Sequence, residues 1–270
     1  MATPLTTLRT ELGKRIGLFH RAQALTGSVS GFTLDAVADA GGHWNNCWAW
    51  PTDGAEEFHE RLITDYTNKA FTVDPVWDTG PSPDDYIEVH QFRPGLLTDI
   101  LNWAIGDAFP EASVLQVIEM PVEADNAYTL PETVPADGLP MVRLLDVQYK
   151  VTDDSDWIRW QRVEFALLGN GTQFELREQL TDSATLRVRG QRRLAQMVDE
   201  TDEVEVDFPK TEILYACAAM RLYERARTLV PQLGAEEIDK GLAYWRQKAA
   251  EMKQKHGQEV PTMRAKIPVL

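Results

Sequence analysis

The chain has 270 residues, 43% of them apolar and 26% charged, which is enough to bury a large core and excludes wholesale disorder. With 27 basic residues against 42 acidic ones the net charge is −15, so binding of nucleic acid by phosphate neutralisation is excluded, although such a protein suits the wall of a passage through which DNA slides. Two cysteines make no disulfide framework, Met1-Ala2-Thr3-Pro4-Leu5 lacks a basic-then-apolar leader, and no apolar run approaches a membrane span, so a soluble chain in a reducing compartment is expected.

The first element predicted is a helix over residues 4–25. Thr3 and Pro4 offer a hydroxyl cap and a proline at the first helical position, and Leu5, Leu8, Leu12, Ile16 and Phe19 recur at helical steps. From Gly27 to His90 glycines and prolines punctuate short β-rich runs: Phe32–Leu34, Cys47–Trp50, Arg61–Thr64, Phe71–Val73 and Tyr86–Val89. This texture predicts a small barrel or sandwich, with a hairpin loop at Asp65–Lys69. Arg93-Pro94 opens a second helix, with Leu97, Ile100, Leu101, Ala104 and Ile105 on one side and Pro110 as its bound.

Strands are expected next at Val114–Val122, Val142–Tyr149, Trp157–Leu168, Phe174–Glu178 and Thr185–Arg189, forming an antiparallel sandwich. Asp125–Pro140, with three prolines, reads as an exposed loop, and Asp199–Asp207 as an acidic connector. Helices over residues 211–229 and Ala235–His256 follow, the latter with Ile238, Leu242, Trp245 and Ala249 at helical spacing. The last stretch, with Pro261 and Pro268 and no periodicity, reads as an extended arm.

The fold class expected is therefore α+β, a helical bundle interrupted by two antiparallel β blocks, one barrel-like and one sandwich-like, ending in an extended arm. Residues 1–26, 93–110 and 209–257 are assigned to the bundle, 27–92 to the first inserted β domain, 111–208 to the second, and 258–270 to the arm.

No catalytic constellation is found, and no enzyme activity, cofactor or metal is expected. His43, Cys47 and His59 are the nearest thing to a ligand cluster, but a second cysteine or partner pair is missing. Cys217 lies in an apolar helical face and Cys47 lacks a basic neighbour, so neither reads as a nucleophile. Gly169-Asn170-Gly171 has no GK[ST] ending, and no serine sits in a G-x-S-x-G elbow. Paired acids such as Asp84-Asp85 and Asp153-Asp154 fall in turns. Trp44, Trp48 and Trp50 would share one face of a strand, which suits either core packing or stacking on a sugar.

The end of the chain carries a distinct chemistry. Residues 241–270 hold six basic side chains against two acidic ones, a net of +4, which leaves −19 for the remainder. Val260, Pro261, Met263, Arg264, Lys266, Ile267 and Leu270 combine cations with apolar anchors, as a strip docking on an acidic neighbour would; a frayed, solubilising terminus fits the same residues.

Several segments between Leu5 and Phe109 follow one another in a distinctive order. A first helix leads through Gly27-Ser28-Val29-Ser30-Gly31 into Phe32-Thr33-Leu34-Asp35, then comes the Trp-rich Asn45-Asn46-Cys47-Trp48-Ala49-Trp50. Arg61-Leu62-Ile63-Thr64-Asp65-Tyr66, Lys69 to Trp77, Asp84 to Val89 and a helix containing Ile100-Leu101-Asn102-Trp103-Ala104-Ile105 complete the pattern, with a weaker echo in Val204–Arg227. The order resembles the head-to-tail connector (adaptor or neck) proteins of tailed bacteriophages. The resemblance implies a structural protein of the virion neck, made in the host cytoplasm, that docks beneath the portal protein as a homo-oligomeric ring, usually a dodecamer. It also implies contact with other neck or tail proteins, passage of viral DNA without specific binding, and no membrane partner. The alternative is a peripheral tail or fibre-associated protein binding host glycan through a β domain.

Overall fold

The computed structural model describes residues 3–35, 42–122, 127–129, 141–151, 156–159, 173–175, 184–229 and 233–257. In chain order, β1 (Thr3–Pro4) leads into α1 (Leu5–Ile16), followed by β2 (Phe19–Ser28), β3 (Gly31–Leu34), β4 (Trp48–Pro51), β5 (Arg61–Thr67), β6 (Ala70–Asp74), β7 (Tyr86–His90) and α2 (Pro94–Ala108). Then come β8 (Val114–Pro121), β9 (Ala127–Thr129), β10 (Arg143–Lys150), β11 (Ile158–Arg159), β12 (Gln173–Glu175), β13 (Thr185–Arg192), β14 (Glu203–Val204), α3 (Lys210–Leu229) and α4 (Ala235–His256). The α+β class expected from the sequence is the one observed.

Strands β2-β3-β6-β5-β4-β7 close an antiparallel barrel. Its interior takes Phe32, Leu34, Ile63, Tyr66, Phe71, Val73, Trp77, Ile87 and Val89. Ile63 and Tyr66 are three residues apart, an odd spacing that simple alternation would send to opposite faces. A bulge between Ile63 and Asp65 resets the pleat and turns both inward. The β5–β6 connection is only Asn68 and Lys69, both at positive φ, so β5 runs on to Thr67 where a longer loop was expected.

The helix expected over 4–25 ends at Ile16. Phe19–Ser28 is instead the first barrel strand, paired with β7 on one side and β3 on the other. Phe19 continues the apolar spacing of the helix, but its ring meets His90 edge-on at 5.1 Å. Pro4 is not the first helical residue; it has extended φ and ψ and pairs, with Thr3, against Glu203 and Val204. The acidic connector thus holds a short strand whose Val204, with Val206, enters the helical core.

That core is built from four segments far apart in sequence. Leu5, Leu8, Leu12 and Ile16 of α1 and Leu97, Ile100, Leu101, Ala104 and Ile105 of α2 meet Ile213, Leu214, Cys217, Ala218 and Leu222 of α3. α4 adds Ile238, Trp245, Ala249 and Met252. α3 is buried on most of its circumference, which its alanines permit because small side chains let three helices approach one axis.

In the second β block, β13 lies between β8 and β10, with the two-residue β11 at the far edge. Ile118, Leu144, Val147, Leu186 and Val188 form its core, together with Tyr128. Tyr128 belongs to β9, which pairs with β12; the exposed loop expected over Asp125–Pro140 therefore contains a strand whose tyrosine is fully buried. Of the strand expected at Trp157–Leu168, only Ile158–Arg159 falls among described strand residues, and that expected at Phe174–Glu178 is observed as Gln173–Glu175.

Candidate assembly interface

Two bodies of opposite charge are joined through α1. Between residues 19 and 92 the sequence has twelve carboxylates against three basic side chains, a net of −9. From Lys240 to His256 it has five basic residues against one acidic, a net of +4.

The joint itself is polar. One stripe of α1 enters the helical core, while Arg9, Thr10 and Gly13 face the barrel. The Thr10 hydroxyl donates to the Glu88 carboxylate at 2.9 Å, and His90 Nε2 lies 2.9 Å from the same carboxylate, with Glu88 and His90 both about 1% exposed. Burial pushes the Glu88 carboxyl up. The hydrogen bond and charge of His90, the Thr10 hydroxyl and Arg21 overcome this and hold it below its ordinary value. A Cβ on Gly13 would stand 2.6 Å from His90 Nδ1, so glycine is what lets the helix settle on β7.

Beside this joint runs a groove of about 1100 Å³, lined among others by Arg9, Trp48, Trp50, Glu60, Arg93 and Asp99. Arg9 is 2% exposed, bonds Glu200 through both terminal nitrogens (2.9 and 2.6 Å) and lies 4.0 Å over the Trp50 ring. Arg93 reaches over Trp48 and bonds Glu60, which also accepts the Gly95 N–H. No local pattern marks these pairs: an arginine beside a leucine stripe reads as solvent-facing until a second body covers it. The aromatic at Trp50, stacked against a cation brought from 41 residues away, is the one trace.

The tryptophans do not share a face. Trp44 precedes β4 and points into the barrel core, as does Trp77, while Trp48 and Trp50 line the groove outside. Trp245 belongs to the helical core, and Trp103 and Trp157 lie beneath Arg225 and Arg187 at 4.2 and 3.8 Å. Among the described residues, every tryptophan ring is therefore either core or has a guanidinium over one face, with Trp103 still 39% exposed; Trp160 lies outside them.

α4 carries five basic and four acidic side chains, with its acids concentrated at the start. Its first turn holds Glu236 and Glu237 and its last Lys253, Lys255 and His256, the arrangement its macrodipole favours. Lys240, Tyr244 and Lys248, each four residues on, share one outward side, and Tyr244 is 57% exposed. Tyr244 separates two clefts, of about 720 and 240 Å³, that have Arg15 in common. Arg15 bonds Glu212 at 2.7 and 2.8 Å; that contact raises the arginine and lowers the carboxyl from their ordinary values. Burial pushes the neighbouring Tyr215 hydroxyl up to about 12.

The end of α4 is tied down. The Gly257 N–H donates to Lys253 O at 2.9 Å, and Lys253 Nζ stands 3.6 Å from Glu111, just past α2. The arm residues singled out above, Val260, Pro261, Met263, Arg264, Lys266, Ile267 and Leu270, lie outside the described residues.

His43, Cys47 and His59 are not brought together. His43 stacks edge-on against Trp44, Cys47 is in the barrel core with its thiol pushed up to about 12 by burial, and His59 bonds Glu56 at 3.1 Å. Cys217, pushed up to about 11 chiefly by burial, is in the helical core. Among the described residues no three His, Cys, Asp or Glu side chains converge as a metal ion requires, and no helix is long and apolar enough to cross a membrane. No family profile and no curated protein matches the chain.

Proposed function

We propose that this protein is a head-to-tail adaptor of a tailed-phage virion: a non-enzymatic wedge that packs beside identical wedges in a ring beneath the portal. The observation that carries the reading is the segregation of charge along one chain, a barrel stretch of net −9 and a final stretch, residues 241–270, of net +4 that ends in a basic, apolar-anchored strip. Such a molecule has dissimilar surfaces, and a head-to-tail contact between them builds a ring when its rotation closes. The α1, α2, α3 and α4 segments form the wedge body, and the arm from 258 onward is the part that reaches the portal.

An acidic bore suits DNA that must move. A basic lining would release counterions on contact with phosphate and hold the duplex, whereas a carboxylate lining keeps it at a distance within the Debye length. The alternative, glycan binding by a β domain, needs an aromatic face free to stack on a sugar; guanidinium groups cover both groove tryptophans.

Removal of residues 258–270 tests the arm directly. The truncated protein is expected to keep its fold, because among the described residues the helical core is built from residues up to Met252, and to fail to join portal-bearing heads. Attachment equal to that of the full chain would contradict the role given to the arm.

A further inference from the structure

We infer that, in the free protein, the strip 258–270 seats on its own chain, along a track on α2 that leads from the end of α4 to the groove beside the joint. The track is one stripe of the helix. Leu96, Asp99, Trp103 and Gly106 recur at steps of three and four residues and so share a side. Leu96 and Asp99 line the groove, Trp103 is 39% exposed, and a Cβ on Gly106 would meet nothing within 4 Å. Two walls flank the stripe. On one side the Asn102 side chain bonds the backbone N–H and carbonyl of Met197, just before Val198 and Glu200 of the groove lining. On the other, Arg221 of α3 bonds Asp107, and Arg225 lies 4.2 Å over Trp103.

Charge along the track is ordered. Towards the α4 end stands Arg225, exposed and, among the described residues, without a carboxylate partner. At the groove end stand Asp99 and, paired opposite Leu62 in the barrel wall, Asp74. Both are exposed, and among the described residues neither side chain has an ion pair or a hydrogen bond. The remaining charges of the groove already cancel, Arg9 against Glu200 and Arg93 against Glu60. The strip carries the complementary order: Glu259 comes first, then Arg264 and Lys266, with Met263 and Ile267 beside the cations. Trp48, Leu62 and Leu96 offer those two apolar side chains a floor. Opposite charges fix the direction and register, while the apolar contacts exclude water.

The lengths agree. Gly257 stands against Glu111, whose Cγ would lie 2.9 Å from a Cβ on that glycine. From Glu111 back to Asp99 is about 18 Å at a rise of 1.5 Å per helical residue, and to Leu96 about 22 Å. An extended chain advances about 3.3 Å per residue, so Arg264 reaches about 23 Å from Gly257 and Ile267 about 33 Å. Arg264 therefore arrives at Asp99, and Lys266 and Ile267 enter the groove. A short tether supplies an effective concentration on the order of 1 mM, so a contact with a Kd of about 0.1 mM between separate pieces is roughly nine-tenths formed. On the adaptor reading the same side chains meet the portal, so the seated strip must leave the track before docking.

Zero-length carbodiimide coupling tests this on the full chain, since it joins only amines and carboxylates already in contact. An equal mixture of isotopically labelled and unlabelled protein is coupled at low protein concentration, and linked peptides are read by mass. Links from Lys266 to Asp99, Asp74 or Glu60 within one isotope are expected. Mixed-isotope links would place the strip on another copy and overturn the proposal, as would the absence of links between Lys266 and these three. Trypsin gives a second reading, because Arg264 and Lys266 are its cleavage sites. Asp74→Lys with Asp99→Lys should speed cleavage there at least fivefold in the folded protein; equal rates would overturn the seating. Attachment to portal-bearing heads is scored separately, so the adaptor reading can fail while the seating stands, and the reverse. Where the chain does attach, the doubly reversed variant should do so at lower concentration, and equal attachment would overturn the competition between track and portal.

Discussion

Replacing Arg9 by alanine should loosen the joint between the barrel and the helices more than any other single change on α1. Arg9 is 2% exposed and bonds Glu200, a quarter exposed, through two nitrogens, while its guanidinium lies 4.0 Å over Trp50. Removing one partner of a buried ion pair costs about 3–5 kcal/mol, because the other charge is left without compensation. Water reaches Glu200, so the lower end applies, and the lost cation–π contact adds about 0.5–1 kcal/mol. A total near 3–4 kcal/mol corresponds to a fall in melting temperature of roughly 6–15 °C for a chain of this size. Urea titration followed by tryptophan fluorescence reads the loss, and Trp50 reports from the site itself. Arg9→Met keeps most of the packing and isolates the charge; combined with Glu200→Gln in a double-mutant cycle, it should show a coupling of about 1–3 kcal/mol. A loss below about 1 kcal/mol for Arg9→Ala would place the pair among ordinary surface ion pairs and refute the reasoning.

Glu88 has a lowered pKa in the folded protein, so its contribution to stability is complete above the ordinary glutamate value of about 4.3 and is lost as pH falls below it toward the folded value. Glu88→Gln should flatten that part of the acid limb in pH-dependent denaturation; an unchanged slope would show that the carboxylate is not held by His90 and Thr10. Gly31→Ala should destabilise the barrel by about 1–3 kcal/mol, since the added Cβ strikes Phe71 O of the paired strand. Gly106→Ala, on an exposed turn of α2 with nothing within 4 Å, should stabilise by about 0.5–1 kcal/mol, and thermal melts of the two variants should move in opposite directions. Both thiols, pushed up to about 12 and about 11, should resist a thiol reagent at pH 8 in the native protein and react in urea; fast native labelling would contradict the burial of Cys47 and Cys217.

Much of this fold is readable from local pattern. α4 begins and ends where Gly234, the acidic first turn and the basic last turn place it, because its signals are local. The barrel strands after β2 are likewise marked by glycine and proline between alternating residues. What sequence conceals is decided at a distance. Phe19 fits the stripe of α1 as well as it fits a strand, and only pairing with His90 on the neighbouring strand settles which. Tyr128 sits in a proline-rich stretch whose composition reads as loop, yet pairing with β12 draws it into the core. The odd spacing of Ile63 and Tyr66 needs a bulge, and Arg9 becomes interior only once barrel and bundle close over it. Of the candidate interface, the charge difference is legible in the sequence, whereas the packing of Trp77 and Gly80 against the β2–β3 turn depends on how that segment folds back.

The most direct test is the mass and image of the protein with and without portal-bearing heads. A symmetric ring of copies seated beneath the portal, with a carboxylate-lined opening on its axis, is expected. Single protomers or a small oligomer of unchanged mass, indifferent to the heads and absent from purified virions, would contradict it.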